Sequence, residues 1–424
     1  MAHAPHAKVL PADLSAPPMV NAWRAKALMV AVLFTVCAVV LAFLDHSMEH
    51  VYRAWLLGLV LTFGFAVGGL ALLMVQYVTG GKWGLLLRRP LEAMSRTLPL
   101  IIGYWLIMGL FMKKLYLWAL ISNPEEALKA GRITDAEAHA IAWKHAMLNP
   151  TSFWVVGAIC FAIFAFYTVR LNSLSMQREK DTLANTPYWI KKFENISGFG
   201  ILVYSLLMTA CVLYWVMSLD VTWYSSIYGL LFLVGEGYQV LAMAMITALT
   251  LSKAEPFKTI LRGTEQYDMG KFMFAFVMLN MYLAFSQFLI IWSGNLPEEI
   301  VWYQNRILGG WGTMLTLDFL FHWVIPFSLL LSKDLKRNKK RLIRVAQWMI
   351  FAKAFDLLVL IEPNFKDAAK NLHFSWGILE YAAVPVVMVS LWVAYYATNL
   401  MKRPLVQTND PHLAEILEPE HAHA

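Results

Sequence analysis

Charge is scarce in this sequence. Of 424 residues, 15% are charged and 59% hydrophobic, whereas ordinary soluble domains carry roughly a quarter charged residues. That deficit excludes a typical soluble enzyme. Cysteine is scarcer still: Cys37, Cys160 and Cys211 stand in three different apolar blocks, and no two form a Cys-x-x-Cys pair. An iron–sulfur cluster, a structural zinc site and a disulfide framework therefore have no ligand set. Histidine is not scarce, but it is in the wrong places for haem. His3, His6, His412, His421 and His423 fall in the polar ends, His46 and His50 follow the first apolar block, His139 and His145 lie in a loop, and His373 sits at a helix end. Only His322 is deep in an apolar block, so a transmembrane bis-histidine haem lacks its second ligand. The chain is expected to bind no metal and no redox cofactor of its own.

Long apolar runs are what the sequence has in abundance. A hydrocarbon layer of about 30 Å needs a helix of roughly 20 residues, and ten blocks meet that length: 27–44, 53–77, 98–120, 152–169, 199–217, 223–251, 271–293, 311–332, 344–361 and 375–397. The fold class is all-α integral membrane, with a ten-helix domain over 27–397 between polar tails, 1–26 and 398–424, that are expected to be solvated. Pro5, Pro11, Pro17 and Pro18 stand before the first run and no small-residue cleavage site follows it, so 27–44 is expected to stay as a helix.

An even number of spans puts both termini on one side. The segments on that side hold 25 Lys and Arg, the opposite loops hold 9, and Lys353 falls inside a span. The positive-inside rule then makes both termini cytoplasmic. The net charge of +7 accordingly reads as loop topology and contact with a lipid bilayer, with no nucleic-acid partner. The basic stretch 331–344 would touch anionic headgroups.

One long loop, 121–151, lies on the opposite, periplasmic side. Asn123 can cap a short helix with Pro124 at its first position and Glu125 and Glu126 in its first turn, ending near Gly131; Thr134 can cap a second, running to about Met147. Such an ordered loop is either a docking surface or a lid on its own bundle. The second and sixth spans are both long and carry small residues near the middle, Gly64, Gly68 and Gly69 against Gly235 and Gly237. This hints at two parallel four-helix bundles, spans 2–5 and 6–9, flanked by spans 1 and 10.

Ionisable residues inside hydrocarbon are costly and mark function by default. Glu236 falls near the middle of span 6 and has no partner nearby in sequence, so it is either protonated or paired across helices. Asp318 and His322, four apart on span 8, share a face and make either a proton relay or a satisfied hydrogen bond. Lys353 and Asp356, three apart on span 9, read most simply as a self-neutralising pair. Glu380 lies about five residues into span 10, and Asp220 sits at the turn before span 6. The first half, by contrast, offers mainly Gln76, Tyr77, Tyr104 and Tyr167. The proton-path candidates are therefore Glu236, Asp318, His322, Lys353, Asp356 and Glu380.

Three motifs carry a resemblance: SLDVTWYSSIYG (218–229), FSQFLIIWSGNLPEEIVWY (285–303) and KHAMLNPTSFW (144–154). Together they resemble the NrfD-like, polysulfide-reductase-type membrane subunits, closest to the ActF-type subunit of bacterial alternative complex III, a quinol:cytochrome c oxidoreductase. The resemblance covers spans 3 to 10. It implies a bacterial cytoplasmic-membrane protein with two four-helix bundles, contributing assembly, quinone binding and proton translocation to a respiratory complex. It also implies partners: a multihaem cytochrome c, an iron–sulfur subunit and a second NrfD-like subunit, which would carry the haem c and the clusters. Asp220, Trp223, Ser225 and Ser226 match the motif at the outer end of span 6 and are the quinone-binding candidates it implies. Two other readings stand beside it: a stand-alone proton-coupled secondary transporter, which also uses midplane carboxylates and repeats, and a purely structural scaffold.

Overall fold

The computed structural model describes residues 9–46, 48–365 and 379–417. Ten helices of spanning length organise them: α1 (Pro18–Asp45), α2 (Glu49–Thr79), α3 (Trp83–Leu110), α4 (Pro150–Glu179), α5 (Thr186–Trp215), α6 (Tyr228–Leu251), α7 (Gly263–Gly294), α8 (Trp311–Leu331), α9 (Lys339–Ile361) and α10 (Glu380–Met401). Among the described residues nine of these are long and apolar enough to cross a membrane. The tenth is α9, a continuous helix of 23 residues that begins with Lys339, Lys340 and Arg341 and carries Lys353 and Asp356 within it. The protein is an all-α integral membrane protein.

The packing follows the expected grouping only in part. α2 to α5 form one bundle and α6 to α9 another, joined where α6 lies along α2 and α5. α1 pairs with α10, but α10 is not outside the bundles: it packs along α2 and α3, with Trp392 stacked on Phe65 and Tyr396 bonded to Thr247 of α6. α2 is buried along nearly its whole length. Its glycines are why: a Cβ at Gly64 would stand 2.6 Å from Gln239 Nε2, and one at Gly68 would stand 2.9 Å from Val240 Cγ2. Small residues here let α2 and α6 approach closely enough to pack backbone against side chain, the usual device where no water drives helices together. Gln239 uses that proximity to donate a 2.8 Å hydrogen bond to the Leu61 carbonyl of α2. α1 is the opposite case; Leu33, Val36 and Phe43 are exposed along it, as on a helix facing lipid.

Several boundaries differ from the sequence reading. α1 starts nine residues earlier than 27, with Pro18 at its first position, where proline's missing N–H costs nothing. The third span is 83–110 rather than 98–120: Trp83–Ser95 is helical and buried, and Leu98–Leu110 follows it after Arg96 and Thr97. The segment 112–120 is instead two short helical turns. α6 begins at Tyr228, so 223–227 is loop. The beginning of the tenth span, expected at 375, and His373 lie outside the described residues. The 121–151 loop contains the two expected helices, Pro124–Lys129 capped by Asn123 and Asp135–Lys144 in a Thr134–Glu137 capping box.

The tail after α10 is not solvated as expected. Leu405, Val406, Leu413 and Ile416 are buried, and the Leu405 amide donates to the Leu14 carbonyl at 2.8 Å. Arg88 holds this tail through Asp410, at 2.7 Å, and through Gln407. Burial works to raise the Asp410 pKa, but Arg88, the His412 amide and Arg178 outweigh it, and the carboxyl stays below its ordinary range. Beside this pair Arg89 bridges Glu92 and Glu179, both at 2.7 Å, and Arg403 reaches Glu92 at 3.2 Å. Cations that read as loop charge therefore form a buried network that ties α3, α4 and the tail together.

Candidate functional site

On the side opposite the described ends of the chain, α8 leaves α7. The π-helical turn Leu320–Val324 and the half Ile325–Leu331 pack on α7, whereas Trp311–Phe319 leans on α9 and on the short amphipathic helix Pro297–Ile307. The divergence opens a cavity of about 350 Å³ between α6, α7, α8 and α9, under the short helix. Its walls are largely apolar: Leu231, Met281, Phe285, Phe288, Phe319 and Trp323. Phe285 and Phe319 are also exposed on the outer surface of the bundle, so the mouth faces the hydrocarbon layer.

The polar groups lie at the inner end and under the roof. Asp318 and His322 come from α8 and Asp356 from α9, and one ligand-type atom from each lies within 4.8 Å of the others. His322 belongs to the π turn, an element that recurs at functional sites. The i, i+4 spacing puts Asp318 and His322 on one face, as expected, yet no hydrogen bond joins them. His322 Nδ1 instead faces Asp356 Oδ1 at 3.8 Å, a gap that a small side-chain movement or one bridging water closes. The second Asp356 oxygen is taken by Lys353 Nζ at 2.6 Å, which is the self-neutralising pair the spacing suggested. His322 Nε2 and Asp318 Oδ1 are buried and have no hydrogen-bond partner among the described residues.

Lys353 connects this cluster to α6. A Cβ on Gly235 would stand 2.8 Å from its ammonium, so the glycine makes room for the charge beside the α6 backbone. The next residue is Glu236. Tyr204 of α5 donates a 2.6 Å hydrogen bond to its Oε2, while Oε1 is unpartnered among the described residues. Glu236 is thus paired across helices. Eight residues from the start of α6, it lies about 12 Å along the helix from that end.

The motif 285–303 lines the cavity through Phe285, Gln287, Phe288, Trp302 and Tyr303, and the other two motifs pack behind it. Lys144, from the first-half loop, donates a 2.6 Å hydrogen bond to the Val221 carbonyl. Burial pulls its pKa below the ordinary value, with Asp220 working against that. Trp223 stacks on Trp302 with centroids 4.7 Å apart, and the Arg306 guanidinium lies 3.4 Å over the other ring. Arg306 is almost fully buried; it donates to the carbonyls of Trp302 and Leu360 and to Asn364 Oδ1. Burial lowers its pKa to about 10 and raises that of Tyr303 to about 12.

The candidate residues therefore divide. Asp318, His322 and Asp356 line the cavity together, with Lys353 behind them and Glu236 one residue beyond. Glu380 is remote: fully buried at the start of α10, it has no hydrogen-bond partner among the described residues. Trp223 supports the roof from behind, and Ser225 reaches the cavity only through Gln287, at 3.4 Å. Asp220 caps its own turn, accepting from Thr222 and Trp223, and Ser226 is exposed. Arg306, Tyr303 and Tyr204 were missed. The PEEIVWYQNR run could have shown the first two: Pro then acidic residues opens a helix, and Arg306 falls four residues after Trp302. Nothing in the sequence pairs Tyr204 with Glu236.

The cavity's dimensions and chemistry suit a bilayer-resident amphipath: an apolar crevice open to hydrocarbon, ending in groups able to donate or accept protons. No family model matches the chain, and no curated protein matches it.

Proposed function

We propose that this chain is an integral membrane subunit of a quinol:cytochrome c oxidoreductase of the alternative complex III kind, and that the cavity between α7 and α8 takes a quinone. The observation that supports the reading is that the motif 285–303 lines a cavity that opens to the bilayer, through Gln287 and Tyr303 among others, while the other two motifs pack in turn behind it: Trp223 on Trp302, and Lys144 on Val221. In this reading both termini are cytoplasmic in a bacterial inner membrane, in keeping with the 25-to-9 cation bias. The cavity then opens in the periplasmic half.

A bound quinol would supply both protons and electrons when oxidised. The chain's own residues handle the protons. The apolar walls exclude water from the ring, Gln287 and Tyr303 offer hydrogen bonds at the outer end, and Asp318 and His322 present unpartnered atoms at the inner end. Lys353 holds Asp356 in place and stands beside Glu236, so a proton reaching Asp356 has a second carboxyl within the same polar interior. Haem c and iron–sulfur clusters, held by partner subunits, would take up the electrons.

The stand-alone transporter is the alternative. Its usual sign is broken helices at matched positions of two repeats. The interruptions here, at Arg96–Thr97 in α3 and Leu320–Val324 in α8, do not correspond when α2 is matched to α6. Mild-detergent purification tests the proposal. Co-purification with a multihaem cytochrome and an iron–sulfur subunit, and loss of quinol-driven cytochrome c reduction in Asp318→Asn, are expected. A monodisperse single chain active in solute uptake would reject it.

A further inference from the structure

We infer that Asp318, His322 and Asp356 form a binding site for a divalent transition cation of the zinc class. The inference stands on the side-chain cluster and does not require the quinone reading. Three donors from two helices, one imidazole nitrogen and two carboxylate oxygens, lie within 4.8 Å of one another, and among the described residues this is the only such group. On a tetrahedral ion with bonds of about 2.0–2.1 Å the same donors would stand roughly 3.4 Å apart. Closing that difference takes small side-chain rotations.

A second observation points to a ligand. His322 is more than nine-tenths buried, and neither ring nitrogen has a hydrogen-bond partner among the described residues, Nδ1 being the one turned to Asp356; Asp318 Oδ1 is likewise unmatched. Leaving such groups unsatisfied away from water is costly. Lys353 pairs with Asp356 at contact distance, and among the described residues no cation pairs directly with Asp318, so its carboxylate is open to a positive species. A proton is the simplest candidate and a metal ion the other. The donor set favours a metal that accepts imidazole: zinc-class ions take N and O ligands in fours, whereas calcium and magnesium ask for about six or more oxygens, which these walls do not supply. The Lys353–Asp356 contact serves the site as well. It occupies Oδ2 and leaves Oδ1 turned to His322, the way an outer partner commonly orients a metal-binding carboxylate.

The sequence disguises this set, since Asp318 and His322 lie on one helix and Asp356 on another, with no metal-motif spacing between them.

The test uses the untagged full chain in mild detergent without quinone, with Zn2+ for affinity and Co2+ as its coloured substitute. We expect one tightly held ion and visible Co2+ bands of mixed N/O coordination. His322→Gln and Asp318→Asn should each weaken Zn2+ binding by at least about tenfold. Alanine at His3, His6, His421 and His423 together should leave it unchanged, and Mg2+ should not compete. Asp318→Asn is isosteric and decides the matter even where His322→Gln fails to fold. Unchanged affinity in Asp318→Asn, or loss of all binding in the terminal-histidine variant, overturns the inference and leaves the cluster as a proton site only. Because no quinone is present, either outcome is independent of the quinol assay.

Discussion

The Tyr204 phenol on α5 donates a 2.6 Å hydrogen bond to Glu236 on α6, a buried side-chain pair that joins the two four-helix bundles alongside the Gln239–Leu61 bond. Removing the donor leaves a carboxyl with neither oxygen partnered among the described residues. Tyr204→Phe should therefore lower stability by about 1–3 kcal/mol, read as a drop in thermal midpoint in detergent. Glu236→Leu removes the stranded group, so the double variant should cost less than the two single changes summed. Simple additivity would show that the bond does not hold the bundles. Glu236→Gln should impair quinol-driven cytochrome c reduction or the accompanying proton transfer in the complex; normal values for both would take Glu236 out of the path.

Lys353 and Asp356 make the second test. Both side chains are largely withdrawn from solvent, so removing one partner strands the other charge. Lys353→Met should cost about 3–5 kcal/mol. Adding Asp356→Asn should recover much of that loss. A Lys353→Met chain as stable as wild type would mean that Asp356 is protonated and the pair is not ionic.

Much of the fold could be read from apolar run length, because a helix in hydrocarbon must be long and almost uncharged. The same rule misplaced α3. Arg88, Arg89 and Glu92 look like loop charges, yet they are buried because Asp410, Glu179 and Arg403 come from distant parts of the chain to pair with them. Local spacing found the Lys353–Asp356 pair and the shared face of Asp318 and His322. It missed Tyr204–Glu236 and the nearness of Asp356 to His322, because each depends on which helices adjoin. Asp220 comes from the family resemblance and not from spacing, and its carboxylate accepts hydrogen bonds from its own turn.

Glycines at helix contacts give predictions of opposite sign. A Cβ on Gly157 of α4 would stand 2.3 Å from the Trp105 ring, whereas one on Gly198 of α5 would meet nothing within 4 Å. Gly157→Ala must push a packed indole and should destabilise by about 1–3 kcal/mol. Gly198→Ala adds a helix-favouring methyl in open space and should be neutral or stabilise by up to about 1 kcal/mol. Thermal midpoints of the two variants check both. Equal shifts would show that the α3–α4 contact is looser than its geometry.

Glu362, just beyond α9, sets a pH dependence outside the membrane-spanning segments. It is buried, and Arg53 donates to its Oε1 at 2.9 Å. Burial raises its pKa from 4.5 to about 7, with Arg53 working to lower it and Glu49 adding to the rise. A carboxyl whose pKa is higher in the folded chain holds its proton more tightly there. Its contribution to stability is therefore full below the ordinary value of 4.5 and lost as the pH rises through about 7. Glu362→Gln keeps the shape and cannot ionise, so it should remove this part of the slope. Thermal midpoints of the two chains, followed from about pH 4 to about pH 8, should run parallel at the acid end and separate as the wild type falls away toward neutrality. Curves that stay parallel throughout would show that Glu362 is already ionised beside Arg53, and that its burial is compensated by that pair alone.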